Sequence, residues 1–321
     1  MFDLPDCWVW DFWTAEDPGA TDGHHLFFLK ASRLLGDPDL RHFHASVGHA
    51  VSADLTRWTR VADAIDPQPA PAFDDRATWT GCVVKDEAGG WLMFSTGISS
   101  SDPGLVQRVG VSTSPDLMTW TRSPYALLEA DERWYARRRG EDLDEHWRDP
   151  WVICDDTGLW HMYLTAQAPE GIGPGVVGHA TSPDLRTWEV QPPLSSPTGR
   201  FDQLEVISLH QVEGRWVLLF SCMHPEMPGS DPGSGGVWSV PVEGPGSPVD
   251  IDRAVRVTTE RLYVGKLVST RDGKARFLAF ENRRDDPGFV GGIINPCRVT
   301  WNDAGTGLRL VDAPASWSPP S

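Results

Sequence analysis

Three carboxylates stand in places where a carboxylate is costly. Asp11 lies between Trp10 and Phe12, Asp149 between Arg148 and Pro150, and Glu205 between Leu204 and Val206. A charged group in an apolar strand loses free energy unless it is paired or used. Two carboxylates are what cleavage of a glycosidic bond requires, one to protonate the departing oxygen and one to attack the sugar carbon or activate water against it. A third can bind sugar hydroxyls and hold apart the pKa values of the other two. For Asp149 taken alone, an ion pair with the adjacent Arg148 is the competing reading.

Acids so far apart in the chain act together only if a regular scaffold brings them to one place. The segment G-x-x-x-S-x-D-L-x-x-W occurs three times with unchanged spacing, at Gly48–Trp58, Gly110–Trp120 and Gly178–Trp188. Such repetition implies one supersecondary unit used again, and a period this long suits four short strands with functional loops rather than a helical solenoid. In each copy small and polar residues alternate over a strand, the Asp-Leu pair turns the chain, and the tryptophan falls where the next strand begins. The three signature tryptophans are read as packing between units.

The expected fold is therefore all-β: a five-bladed β-propeller over residues 1–321, with no room for a C-terminal β-sandwich. Opening strands are expected at Trp8–Trp13, Thr78–Val84, Arg148–Val152, Gln203–Ile207 and Tyr263–Val268. Blade five would close with Gly291–Pro296, leaving a short tail after Trp301, about 312–321. The polar stretches 62–77, 127–145 and 224–235 are expected as loops on a propeller face. Opening strands of blades line a central channel, so Asp11, Asp149 and Glu205 would converge at one end of it.

Composition narrows the partners. A net charge of -17 disfavours nucleic acid and anionic membranes. No apolar run is long enough to span a bilayer, and the first residues lack the pattern of a signal peptide, so a cytoplasmic location is expected. The five cysteines, Cys7, Cys82, Cys154, Cys222 and Cys297, are odd in number and form no C-x-x-C pair, as in reduced, mostly buried thiols. Histidines and acids show no metal-ligand spacing, so neither a catalytic metal nor a cofactor is expected. The expected partner is a small carbohydrate.

The ordered set Asp11, His25–Leu29, Gly48–Ser52, Asp54-Leu55, Trp58, Arg148-Asp149-Pro150 and Glu205 resembles the five-bladed propeller glycosidases of families 32 and 68, the β-fructofuranosidases, invertases and levansucrases. It is similar, more distantly, to the arabinofuranosidases and xylosidases of family 43. The resemblance covers nearly the whole chain. It implies that Asp11 is the nucleophile, Asp149 the transition-state stabiliser and Glu205 the general acid/base. This chain departs from the pattern in three places. Trp10-Asp11-Phe12-Trp13 replaces an Asn-Asp-Pro-Asn-Gly run, Lys30 stands where a glutamine is common, and Glu205-Val-Ile replaces Glu-Cys-Pro. The catalytic frame is thus kept while the sugar pocket is altered.

Further substrate contacts are expected from Trp79, which precedes a small hydroxyl residue, from Trp8 and Trp13 as a stacking platform around Asp11, and from Arg148 through its planar fork. Lys30 and Lys266 are expected at the rim. The reading is a retaining, exo-acting furanosidase, which requires carboxyls about 5–5.5 Å apart, against ~6.5–9.5 Å for inversion. Three rivals remain open. One is an inverting enzyme of the family 43 type, with Asp11 as general base. Another is a phosphorylase using Arg137–Arg139 and Arg283-Arg284, and the third is a noncatalytic sugar-binding propeller.

Overall fold

The computed structural model describes residues 1–17, 19–20, 23–86, 88–102, 106–137, 145–170, 174–270, 272–283 and 288–319. Twenty strands form five four-stranded antiparallel sheets, each in simple sequential order. Blade one comprises β1 (Cys7–Glu16), β2 (His24–Ser32), β3 (Ser46–Ser52) and β4 (Thr59–Arg60). Blade two comprises β5 (Ala77–Lys85), β6 (Trp91–Ile98), β7 (Arg108–Ser114) and β8 (Thr121–Arg122). Blade three comprises β9 (Trp147–Cys154), β10 (Trp160–Gln167), β11 (Gly175–Ser182) and β12 (Glu189–Gln191). Blade four comprises β13 (Glu205–Val212), β14 (Arg215–Cys222), β15 (Gly236–Pro241) and β16 (Val255–Arg256). Blade five comprises β17 (Leu262–Ser269), β18 (Ala275–Glu281), β19 (Cys297–Trp301) and β20 (Leu308–Val311). The fold is an all-β, five-bladed propeller.

The repeated signature is the β3–β4 type of hairpin in the first three blades, and its chemistry is the same each time. The hydroxyls of Ser52, Ser114 and Ser182 accept from the backbone N–H of Asp54, Asp116 and Asp184 at 3.1–3.2 Å. Each aspartate in turn accepts from the N–H groups two and three residues on, at 2.7–2.9 Å. Between them Leu55, Leu117 and Leu185 adopt a left-handed φ of 62–63° and are almost fully buried. A leucine there is strained, so the turn stands because burial and the Asp bonds overdetermine it. Two of the three closing tryptophans seal seams as expected: Trp120 meets Phe27 of blade one edge-on at 5.7 Å, and Trp188 meets Phe94 of blade two at 5.6 Å.

The apolar core divides accordingly into seams, because a blade buries its faces only against its neighbours. Phe94 and Val109 of blade two pack with Trp147 and Met162 of blade three; Tyr163 and Val177 of blade three pack with Ile207 and Leu209 of blade four; Val217 and Leu219 of blade four pack with Leu267 and Phe277 of blade five. Leu278 and Phe280 of blade five join the blade-one core around Phe12 and Phe28, which closes the ring. The five cysteines are free thiols.

Blade five corrects the expectation. Gly291–Pro296 is not its third strand, because Gly291 and Gly292 sit at φ 82° and 88°, outside the extended region. Only Ile293 makes isolated bridges, to Phe2 and Phe280. The third strand is Cys297–Trp301, and Leu308–Val311, expected within a tail, is the fourth.

Candidate active site

The innermost strand of every blade carries a register irregularity at the same level of the channel. In β1 it falls at Asp11, between Trp10 and Phe12; in β5 at Thr80, between Trp79 and Gly81. Opposite β10, the irregularity in β9 spans Asp149 and Pro150. The irregularity in β13 lies between Glu205 and Ser208, and that in β17 between Tyr263 and Lys266. Bulges re-aim side chains, and here five of them turn polar groups into one cleft. Three of these sites also bear left-handed backbone: Asp149 at φ 59°, Val206 at 52° and Val264 at 53°. For a β-branched residue that conformation costs of the order of 1–3 kcal/mol, so it persists only where surroundings impose it.

The cleft has a volume of about 370 Å³, at the low end for ligand pockets, and Asp11, Asp149 and Glu205 all line it with Arg148, Trp79 and Trp10. A second lobe of about 420 Å³ shares Asp11 and Glu205 and continues past Arg41, Tyr263, Asn282 and Phe289. Glu205 therefore stands at the junction of the lobes. Thr80 Oγ1 donates to Asp11 Oδ2 at 2.5 Å. Thr165 Oγ1 and the Val206 N–H donate to Asp149 Oδ2 at 2.8 and 3.3 Å. Arg148 joins the other two acids: Nη2 donates to Glu205 Oε1 at 2.8 Å, and Nε lies 3.4 Å from Asp149 Oδ2. Its guanidinium is itself held by Gln203 and by Gln107. Tyr263 donates its hydroxyl to Glu205 Oε2.

Burial and mutual repulsion raise two of these carboxyls. Asp11 is pushed up to about 7, first by desolvation and then by the charge of Asp149, with the Thr80 bond pulling it back. Asp149 is also raised, by desolvation opposed chiefly by Arg148. The Tyr263 phenol is driven well above its ordinary value by burial and then by Glu205, so it remains a donor. Asp11 and Asp149 are thus coupled, and burial with mutual repulsion favours the neutral form of each.

Of the expected contacts, Trp79 and Arg148 line the cleft, and the Trp79 indole N–H is fixed on the His42 carbonyl at 2.6 Å. Trp8 and Trp13 do not line either lobe: Arg33 lies over the Trp8 ring, and Trp13 stacks on Phe27 in the core at 6.2 Å. The wall beside Asp11 is Trp10, because the bulge places neighbours on one side that a regular strand would place on opposite sides. Lys30 pairs with Asp63 at 3.0 Å, away from the cleft. Lys266 is not at the rim but buried, with Nζ 3.3 Å from the Val206 carbonyl. Arg137 pairs with Glu145 at 2.8 Å and Arg283 lies 3.9 Å from Glu260, while Arg138, Arg139 and Arg284 lie outside the described residues. Thr80, Gln203, Tyr263 and Arg41 were not singled out as site residues. Only Thr80 had a signal, as the small hydroxyl residue after Trp79.

The innermost strands of a five-bladed propeller thus gather three carboxylates around one arginine. The model of the N-terminal domain of glycosyl hydrolases family 32 matches residues 21–234, and the chain belongs to that family. It is 31% identical over 155 residues to the beta-fructofuranosidase insoluble isoenzyme 5 of Oryza sativa subsp. japonica, a match covering 45% of this chain and 25% of the relative. It is 31% identical over 156 residues to the fructan 6-exohydrolase of Triticum aestivum, covering 45% of this chain and 23% of the relative. The matched region thus spans about a quarter of those relatives' length. Among solved structures, the inulosucrase of Halalkalicoccus jeotgali bound to kestose aligns with a TM-score of 0.74 at 21% identity, over 96% of this chain and 89% of that one. Fructan 1-exohydrolase IIa of Cichorium intybus aligns with a TM-score of 0.71 at 18% identity, over 97% of this chain and 59% of that one.

Proposed function

We propose that the protein is a retaining, exo-acting glycoside hydrolase that removes a furanosyl unit, β-fructofuranoside-like or arabinofuranoside-like, from a small oligosaccharide or glycoside. The observation that carries this reading is the meeting of Asp11, Asp149 and Glu205, from three blades, in one cleft of about 370 Å³. Asp11 attacks the anomeric carbon while Glu205 protonates the departing oxygen; Glu205 then takes a proton from the water that resolves the glycosyl-enzyme. Asp149, anchored by Thr165 and the Val206 N–H, accepts hydrogen bonds from sugar hydroxyls as positive charge grows on the ring. Glu205 stands between the lobes, where the scissile oxygen must lie if the sugar fills the first lobe and the leaving group the second.

The cleft volume favours a short substrate, and the kestose held by the inulosucrase of similar fold indicates the kind of oligosaccharide to try first. Half-buried Trp79 supplies flat apolar surface for a ring beside the almost fully buried Trp10, with Arg148 orienting the two acids it bridges. One observation favours a second reading: Asp11, held at about 7, also suits a general base that activates water, which would invert the anomeric centre. Proton NMR of the first product released from a panel of short fructo- and arabino-oligosaccharides tests both. Retained configuration supports the nucleophile role; inverted configuration overturns it in favour of the base.

A further inference from the structure

Beneath the acids the channel contains a lysine that the mechanism above does not use. Lys266 is 3% exposed, and its ammonium donates to the carbonyls of Val206 and Ile207 at 3.3 and 3.5 Å and lies 4.8 Å from the centre of the Trp151 ring. Val206 is the strained residue that follows Glu205, and its N–H is the one that binds Asp149. The same residue is therefore held at both ends, by the Asp149 carboxylate and Thr165 hydroxyl on its nitrogen and by Lys266 on its oxygen. Lys266 is on the bulge of β17 that also carries Tyr263, whose hydroxyl binds the Glu205 carboxylate. Blade five thus grips the Glu205 segment twice, once by its side chain and once by its backbone.

The groups facing the ammonium are Asp149 on β9, Asp11 on β1, Cys82 on β5 and His210 on β13. The Cys82 thiol is pushed up to about 12 and the His210 imidazole down to about 3, both chiefly by burial, so neither is charged at neutral pH. Burial draws Lys266 down to about 8, opposed among the charged neighbours by Asp149 and Asp11.

We infer that Lys266 is a positioning residue of the acidic site: by holding the Val206 and Ile207 carbonyls it fixes the bulged segment that carries Glu205 and the Val206 N–H that binds Asp149. This rests on the proposed function only for its kinetic readout. Lys266→Met removes the charge at similar volume and Lys266→Arg keeps it. Aspartate labelled with 13C at its carboxyl, with Asp11→Asn and Asp149→Asn for assignment, gives the titrations directly. In the Met variant the Asp149 carboxyl titrates higher, because the Val206 N–H that favours its ionised form is no longer held in place. The acid limb of activity moves with it, while the Arg variant stays near wild type.

An unchanged Asp149 titration in a folded Met variant overturns the inference, even if activity falls. Lys266→Gln carries the same comparison if the Met variant does not fold. Absence of glycoside cleavage by the wild type counts against the proposed function, and the carboxyl titrations still decide the role of Lys266.

Discussion

Thr80 of blade two donates its hydroxyl to Asp11 of blade one at 2.5 Å, so the acid proposed as nucleophile is oriented from across a seam. That bond favours the ionised form, against burial and the neighbouring Asp149, which push the carboxyl up to about 7. Thr80→Val removes the donor at similar volume. The Asp11 pKa then rises further, and the acid limb of kcat/KM moves to higher pH, with about a tenfold loss of rate at neutral pH. A pH–rate profile of both proteins checks this; an acid limb that stays in place contradicts it.

The indole that contacts sugar is predicted to be Trp10 rather than Trp13. Trp10→Leu should raise KM by about tenfold or more, equivalent to ~1.4 kcal/mol of binding, and should also lower the unfolding midpoint, because the indole is almost fully buried. Trp13→Leu, which disturbs a stack on Phe27, should lower the unfolding midpoint and leave KM near wild type. Paired kinetics and denaturant melts separate the two effects.

The seam tryptophans carry stability and no chemistry. Trp188 packs edge-on against Phe94 of the preceding blade and donates its indole N–H to the Leu185 carbonyl at 3.2 Å. Trp188→Ala should cost about 2 kcal/mol or more, less than for a fully buried indole because the ring is half-buried. Urea denaturation measures the cost, and kcat per folded molecule should not change.

Two stacked histidine pairs make the fold sensitive to acid. His25 Nδ1 meets His49 Nε2 at 2.9 Å, and His161 Nδ1 meets His179 Nε2 at 3.0 Å. Burial first, and the partner ring second, hold His49 down at about 3 and His179 at about 4, against ~6.5 in the unfolded chain. A lowered histidine pKa means that the unfolded state takes up protons first. The stabilisation is complete above about pH 6.5 and is lost as pH falls from there towards the folded values. Thermal midpoints should therefore drop steeply between pH 7 and pH 4.5, and less steeply in a His49→Asn, His179→Asn double variant. Parallel curves for the two proteins contradict the assignment.

What the sequence made legible follows strict local physics. The Gly-to-Trp repeat reads clearly because its serine and aspartate must meet specific backbone N–H groups and its glycines cannot grow: a Cβ on Gly48 or Gly110 would fall 2.4 Å from Phe28 or 2.3 Å from Phe73. Asp11, Asp149 and Glu205 stand out because a carboxylate in an apolar strand demands a reason. Arg148 was legible as their neighbour, although its bridge from Asp149 to Glu205 depends on the third and fourth blades meeting.

The rest of the site was hidden by two features. A bulge breaks the two-residue period, so Trp10 lines the cleft beside Asp11, whereas Trp8 and Trp13, expected there because they flank Asp11 in sequence, do not. Tyr263 and Arg41 reach the acids from elements far away in sequence, and nothing about a tyrosine in a strand or an arginine in a short 3-10 helix marks it locally; Gln203 stands two residues from Glu205, but its bond to Arg148 depends on the third and fourth blades meeting. Blade five escaped for a similar reason: an apolar run over Gly291–Pro296 resembles a strand until its two glycines are seen in left-handed backbone.

Glu205 is the residue on which the proposed reaction turns, and its replacement by glutamine keeps the shape of the cleft. The decisive measurement is initial hydrolysis of kestose and of aryl furanosides by the wild type and by Glu205→Gln, with thermal melts showing both folded. Wild-type turnover that falls by about 10²–10⁴-fold in the variant, and by less for an aryl leaving group that needs no proton, is the predicted result. Equal turnover of kestose by the two folded proteins would contradict it.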